Sequence, residues 1–340
     1  MSDKIKIGII GAGAIAQVTH IPIWNSIEDV ELVAVCDVAK KKAQWIAEKF
    51  NIKYCFDDVE DLLKIEEIQA VDICTPTQSH MALTISVLSS NKHVLVEKPM
   101  ARNYEESKKM VEHAKKYNKM LMVAMNVRHR QDAIILKKFT QNGELGEIFY
   151  AKAGWLQSKE KFIRPKWFAN KEISGGGVFM DLGIQMLDVS LWLMGNHKAA
   201  SVTASTYNKM TQLSVEDAAV AFVRLENGAT LTVEVSWTLL SEKDLFYTNI
   251  FGTKGGALLN PLRIHKELHG SLVNVTPSKE ETPTNLYKKS YENEIRHFVQ
   301  CLTNGIELTS SGEEHIERLR IVDAVYQSAK TGREIKLSSD

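Results

Sequence analysis

Cysteine is scarce in this chain: four residues in 340, Cys36, Cys55, Cys74 and Cys301, none in a paired spacing. Disulfide frameworks and zinc sites need clustered ligands, so these four read as small buried hydrophobes and no metal is expected. Surplus charge is missing too, with 42 Lys and Arg against 42 Asp and Glu and no block of either sign. A nucleic-acid or anionic-membrane surface therefore has no support in the composition. No run of about eighteen apolar residues occurs, so no membrane span is expected. The start, MSDKIKIGII, passes from a few polar residues into a strand without a cationic leader, which makes the cytoplasm the expected location. Repeats and low-complexity tracts are absent. What remains is an ordinary core-forming composition, 44% hydrophobic, at a length that predicts two domains.

Two patterns divide the chain. Over residues 1–125, apolar runs IKIGIIG (5–11), ELVAVCD (31–37), AVDICTP (70–76), HVLVEKP (93–99) and MLMVAM (120–125) alternate with helical stretches. Near-continuous apolar strands separated by helices predict a parallel sheet covered on both faces. Over residues 126–340, strands joined by turns such as Asn227-Gly228 and Lys254-Gly255-Gly256 predict an α+β domain with a large, mostly antiparallel sheet, closed by two amphipathic helices. PSKEETPTN, 277–285, reads as a surface loop.

The chemistry begins at Gly11-Ala12-Gly13-Ala14-Ile15-Ala16, directly after the first strand and opening a helix. The first glycine permits a tight turn, the second lets backbone approach a pyrophosphate, and Ala16 lets helix and strand close together. Asp37 ends the second strand, where its carboxylate can accept from ribose hydroxyls and repel a 2′-phosphate, which favours NAD; Lys40 and Lys41 leave NADP open. Thr75, Thr77 and His80 follow the strand ending at Cys74, and fit either cofactor contact or the start of a helix. Glu97 and Lys98, before Pro99, lie at the sheet's carboxyl edge, where open α/β sheets place ligands. In ISGGGVFMDLGIQMLD, Asp181 and Gln185 share a helix face. A carboxylate there can handle a proton; a carboxamide cannot, so Gln185 is expected either to hold a substrate hydroxyl or carbonyl or to cap hydrogen bonds between its helix and a nearby loop.

Together, the glycine turn, Asp37, the EKP stretch and the GGG…D-x-G-x-Q segment resemble the glucose-fructose oxidoreductase / inositol dehydrogenase (Gfo/Idh/MocA) family, over practically the whole chain. The resemblance implies a Rossmann domain, a second α/β domain, NAD(P), sugar or polyol substrates, and assembly as a homodimer or homotetramer through the large sheet. It places Lys98 in the catalytic cleft, Asp181 beside the substrate, and Gln185 where family members commonly carry histidine. Arg164 and Trp167 reach either the substrate or no more than the loop around them. The leading expectation is an NAD-dependent dehydrogenase or reductase of a sugar-like alcohol. A redox-inactive dinucleotide-binding subunit and an NAD-assisted hydrolase or lyase are the alternatives.

Overall fold

The computed structural model describes residues 4–159, 166–211, 213–278 and 282–337. Six short apolar segments, β1 (Ile5–Ile10), β2 (Val30–Cys36), β3 (Tyr54–Phe56), β4 (Ala70–Ile73), β5 (His93–Glu97) and β6 (Leu121–Ala124), form one all-parallel sheet in the order β3-β2-β1-β4-β5-β6. This is the doubly wound order that turns back beside β1 and sets ligands at the strands' carboxyl ends. The near-continuous hydrophobicity of β4 and β6 follows from burial on both faces.

The second sheet has nine strands: β7 (Ile148–Ser158), β8 (Ala199–Tyr207), β9 (Ala218–Leu225), β10 (Thr230–Leu239), β11 (Leu245–Gly252), β12 (Gly255–Leu259), β13 (Arg263–Leu268), β14 (Ser271–Asn274) and β15 (Ile335–Lys336), in the order β14-β13-β12-β11-β7-β10-β9-β8-β15. Only the β7–β10 pair is parallel among these. Burial alternates along β9, as a one-sided sheet requires, and the helix Ile184–Leu193 is buried along its whole length.

The chain forms two compact units, to the first of which a later segment of the chain returns. The first contains residues 1–101, 105–126 and 291–315; the second contains 102–104, 127–290 and 316–340. The physical reason lies in one helix face: Ile295, Phe298 and Val299 join Ile7, Trp24 and Leu95 in the first unit's core. Trp24 and Phe298 meet edge to face at 6.5 Å. That helix runs from Pro283 to Asn304, so the segment expected as a loop over 277–285 already turns helical at the second of its prolines, Pro283. Residues 279–281 of that segment lie outside the described residues. No described helix is long and apolar enough to cross a membrane.

Candidate active site

In the first unit the glycine turn follows β1 as expected. Gly11 has φ +97°, and a Cβ there would meet the Cys74 carbonyl oxygen at 2.6 Å, so the position demands glycine for both backbone and space. Gly13 differs: the nearest atom to a Cβ would be that oxygen at 3.9 Å, which leaves open space for an approaching group. Ala14 and Ile15 begin the helix, which passes through a π turn over Ala16–His20 before regular α geometry. Such turns are frequent at functional sites.

Asp37 is tied to this turn. Its carboxylate accepts from the Ala12 N–H at 2.8 Å, the Ala39 N–H at 3.0 Å and Lys42 Nζ at 2.9 Å. Burial opposes its charge, but Lys42 and the two amides outweigh burial and hold the carboxyl below its ordinary range. The cation here is Lys42; Lys40 reaches Asp57 instead. An ionised carboxylate beside an open glycine turn fits the ribose and pyrophosphate of NAD.

Other rim residues prove more structural than expected. His80 is buried, its ring nitrogens 2.9 Å from the Pro99 carbonyl and 2.8 Å from that of Thr75, so it braces two turns rather than lining a cleft. Thr77 is buried in a 3₁₀ turn, and the Ser79 hydroxyl donates to Thr75 Oγ1 at 2.8 Å. Glu97 turns its carboxylate inward, 3.0 Å from His20 Nε2, and accepts the Lys98 N–H at 3.1 Å. Lys98 follows at the end of β5, before a cis bond to Pro99.

In the second unit the Gly175-Gly176-Gly177 bend exists because protein fills the space beside it. A Cβ on Gly176 would strike the Tyr326 hydroxyl, and one on Gly177 the Glu216 carbonyl. Glu216 Oε1 accepts from the Phe179 N–H at 3.0 Å and the Tyr326 hydroxyl at 2.8 Å, while Oε2 accepts from the Gly177 N–H at 3.0 Å. Burial pushes the Glu216 carboxyl up, and these donors pull it back down in part.

The bend leads into a second π turn, Phe179–Gly183, which carries Asp181. Asp181 is only 7% exposed, and its Oδ2 accepts from Trp237 Nε1 at 3.0 Å. Gln185 donates through Nε2 to the Asp181 carbonyl at 2.9 Å, one turn back on its own helix. Its amide therefore caps the backbone where π and α geometry meet. Trp167 is half-buried against Phe168, ring centroids 4.0 Å apart, which fits an aromatic anchor; Arg164 lies outside the described residues. Trp237, Glu216, Tyr326 and His20 escaped the sequence reading. Only Trp237, an aromatic near a strand's end, carried a signal that could have flagged it.

Among the described residues one group has metal-ligand proximity: His20, Asp72 and Cys74, all buried. Burial, and then the Asp72 charge, push the Cys74 thiol far above its ordinary range, and Asp72 already accepts from His20 and Trp24. These three side chains form a buried hydrogen-bonded cluster.

Residues 5–125 match the oxidoreductase family with an NAD-binding Rossmann fold, and residues 137–337 match that family's C-terminal alpha/beta domain. The chain belongs to the Gfo/Idh/MocA oxidoreductase family. It is 31% identical to D-glucoside 3-dehydrogenase of Escherichia coli K12, over 99% of this chain and 98% of the relative. It is 26% identical to D-apiose dehydrogenase of Paraburkholderia graminis, over 99% and 90%. A solved oxidoreductase from Agrobacterium radiobacter, in complex with NAD+, L-tartaric acid and magnesium, superposes with a TM-score of 0.86 at 25% identity, covering 98% of each chain. The protein is thus an NAD-dependent oxidoreductase whose relatives act on sugars and polyols.

Proposed function

We propose that this family member oxidises a secondary carbinol of a glucoside-like sugar, with Lys98 as the acid–base group and Asp181 as the substrate's carboxylate partner. The observation that carries the proposal is the placement of Lys98 at the carboxyl edge of β5, in a sheet whose β1 ends in the open turn at Gly13. Bound NAD, held by Gly11, Gly13, Ala14, Ile15 and Asp37, supplies the two-electron acceptor. Lys98 Nζ takes the proton of the reacting hydroxyl in oxidation and returns it in reduction. Asp181, held by Trp237, accepts a substrate hydroxyl. Gln185 supports that turn from behind and moves no proton. The near full-length similarity to a D-glucoside dehydrogenase supports the substrate class.

Assembly as a homodimer or homotetramer through the nine-stranded sheet belongs to the same proposal. Val220 and Leu258 stand exposed on the face opposite buried Ala221 and Leu259. The cysteines are free, in keeping with a cytoplasmic location.

The test incubates the protein and NAD with methyl α-D-glucopyranoside, D-apiose, myo-inositol and levoglucosan, following nicotinamide absorbance and organic product. NADH forming in step with a keto sugar is expected. Product without net NADH would instead mark a hydrolase or lyase cycle, and NAD binding with neither signal a redox-inactive subunit. Lys98→Met should lower turnover by about 10² to 10⁴ while leaving NAD affinity nearly unchanged.

A further inference from the structure

The first unit buries a chain of polar groups that NAD binding does not require. His20, on the π turn, has no exposed surface, yet Nδ1 lies 2.8 Å from Asp72 Oδ2 and Nε2 lies 3.0 Å from Glu97 Oε1. A neutral imidazole carries one N–H and would turn a lone pair toward one of these carboxylates; a doubly protonated ring satisfies both. Asp72 Oδ2 also accepts from Trp24 Nε1 at 2.7 Å, and the second Glu97 oxygen accepts the Lys98 N–H at 3.1 Å. The result is an unbroken hydrogen-bonded line from the core to the lysine at the sheet edge.

We propose that His20 is a positioning residue: as an imidazolium it fixes Glu97, and through Glu97 the backbone from which Lys98 reaches the reacting oxygen. The inference rests on the reading of Lys98 given above. The groups facing His20 are Asp72 and Cys74 from β4 and its end, Glu97 from β5, Trp24, and Tyr291 and Glu294 from the helix Pro283–Asn304. Burial opposes a charge on His20, but the Asp72 carboxylate lifts the ring well above the ordinary histidine range. Burial first and then the Glu97 charge push the Glu294 carboxyl up, which disfavours a further anion beside the ring.

Two measurements test this without a known substrate. In ¹⁵N-histidine spectra at pH 8, the His20 signal, assigned by its loss in His20→Phe, should show both ring nitrogens protonated; a neutral tautomer would overturn the inference. Competitive acetylation read by mass spectrometry should show the Lys98 labelling rate shifted at least threefold in His20→Phe and partly restored in His20→Gln, while Lys64 stays constant. An unchanged Lys98 rate in folded, NAD-binding variants would reduce His20 to packing. Should His20→Phe fail to fold, His20→Gln and the difference between their spectra's wild-type parent at pH 6 and pH 8 still decide: a ring that loses a proton in that interval sinks the proposal. If Lys98→Met retains turnover on an oxidised sugar, the acid–base reading of Lys98 fails by itself, and the labelling still reports whether His20 holds that segment.

Discussion

The two glycine-rich turns look alike in sequence and differ in what fills them. Each runs into a π turn that carries a buried polar side chain, His20 in the first unit and Asp181 in the second. At Gly13 a side chain would enter open space, whereas at Gly176 and Gly177 it would collide with Tyr326 and Glu216. One turn is open for a ligand; the other is closed by its own protein. Glycine runs thus report a close approach without saying whether ligand or protein makes it. The carboxylates behind the turns differ in the same sense. Glu216 is held by amides and a hydroxyl, while Glu294 has no hydrogen-bond partner for either oxygen among the described residues. The Met125 backbone dipole favours the Glu294 charge without making a hydrogen bond by geometry.

The largest effect on folding is expected from Gly11→Ala. A positive φ costs a non-glycine residue about 1–2 kcal/mol, and overpacking against an immobile carbonyl adds about 1–3 kcal/mol. Denaturant unfolding should show a loss of about 3 kcal/mol, and NAD binding should fall with it. Next is Gly176→Ala, which overpacks against the Tyr326 ring and hydroxyl and should cost about 1–3 kcal/mol. Its NAD affinity should hold, because the damage lies in the unit that carries Asp181. Weakened NAD binding in Gly176→Ala at a temperature where the protein is folded would break the division of labour between the turns.

The contrast between the two carboxylates predicts an effect of pH. A carboxyl raised on folding binds its proton more tightly in the native state, so its contribution is fully present below the unfolded value near 4.5 and is lost as pH rises toward the folded value. Over that window Glu294 should lower stability by up to about 1.4 kcal/mol per pH unit. Glu294→Gln should remove that slope, leaving the variant relatively more stable toward neutral pH. His20, also raised, contributes a decline of the same sign that begins above its ordinary value near 6.5 and survives in the variant. Parallel wild-type and Glu294→Gln unfolding curves from pH 5 to pH 8 would show that Glu294 does not titrate in this way.

Much of this was legible in the sequence because it is local. Strand, glycine turn, helix and second strand stand in order, and the acidic residue ending β2 follows them, so the first sheet and Asp37 could be read from period and turn chemistry alone. What could not be read depends on partners far apart in the chain. Glu216 and Tyr326 are separated by 110 positions, and periodicity gives the helix around Phe298 an apolar face without naming the core that receives it. The π turns shift side chains away from the 3.6-residue spacing, so Asp181 and Gln185 share a face while the amide is taken up by the Asp181 backbone. Glu97 was visible as a charge at the rim, but its inward turn required knowing where His20 stood.

The smallest effect on folding, and the sharpest division between the turns, is expected at Gly13. Its φ is not in the left-handed region, and no atom lies within ordinary van der Waals crowding of a Cβ built there. Alanine restricts the unfolded chain, so Gly13→Ala should leave the ligand-free protein unchanged or more stable by about 0.4–1 kcal/mol. The same methyl would occupy the space through which backbone approaches a pyrophosphate, so NAD affinity should fall about tenfold or more, equivalent to about 1.4 kcal/mol. Thermal unfolding without NAD and a fluorescence titration with NADH separate the two quantities. A destabilised protein would mean that the space beside Gly13 is already filled, as it is beside Gly176. Unaltered NADH affinity with unaltered stability would mean the space is real but lies off the pyrophosphate path, and the glycine that distinguishes this turn from the other would then be Gly11 alone.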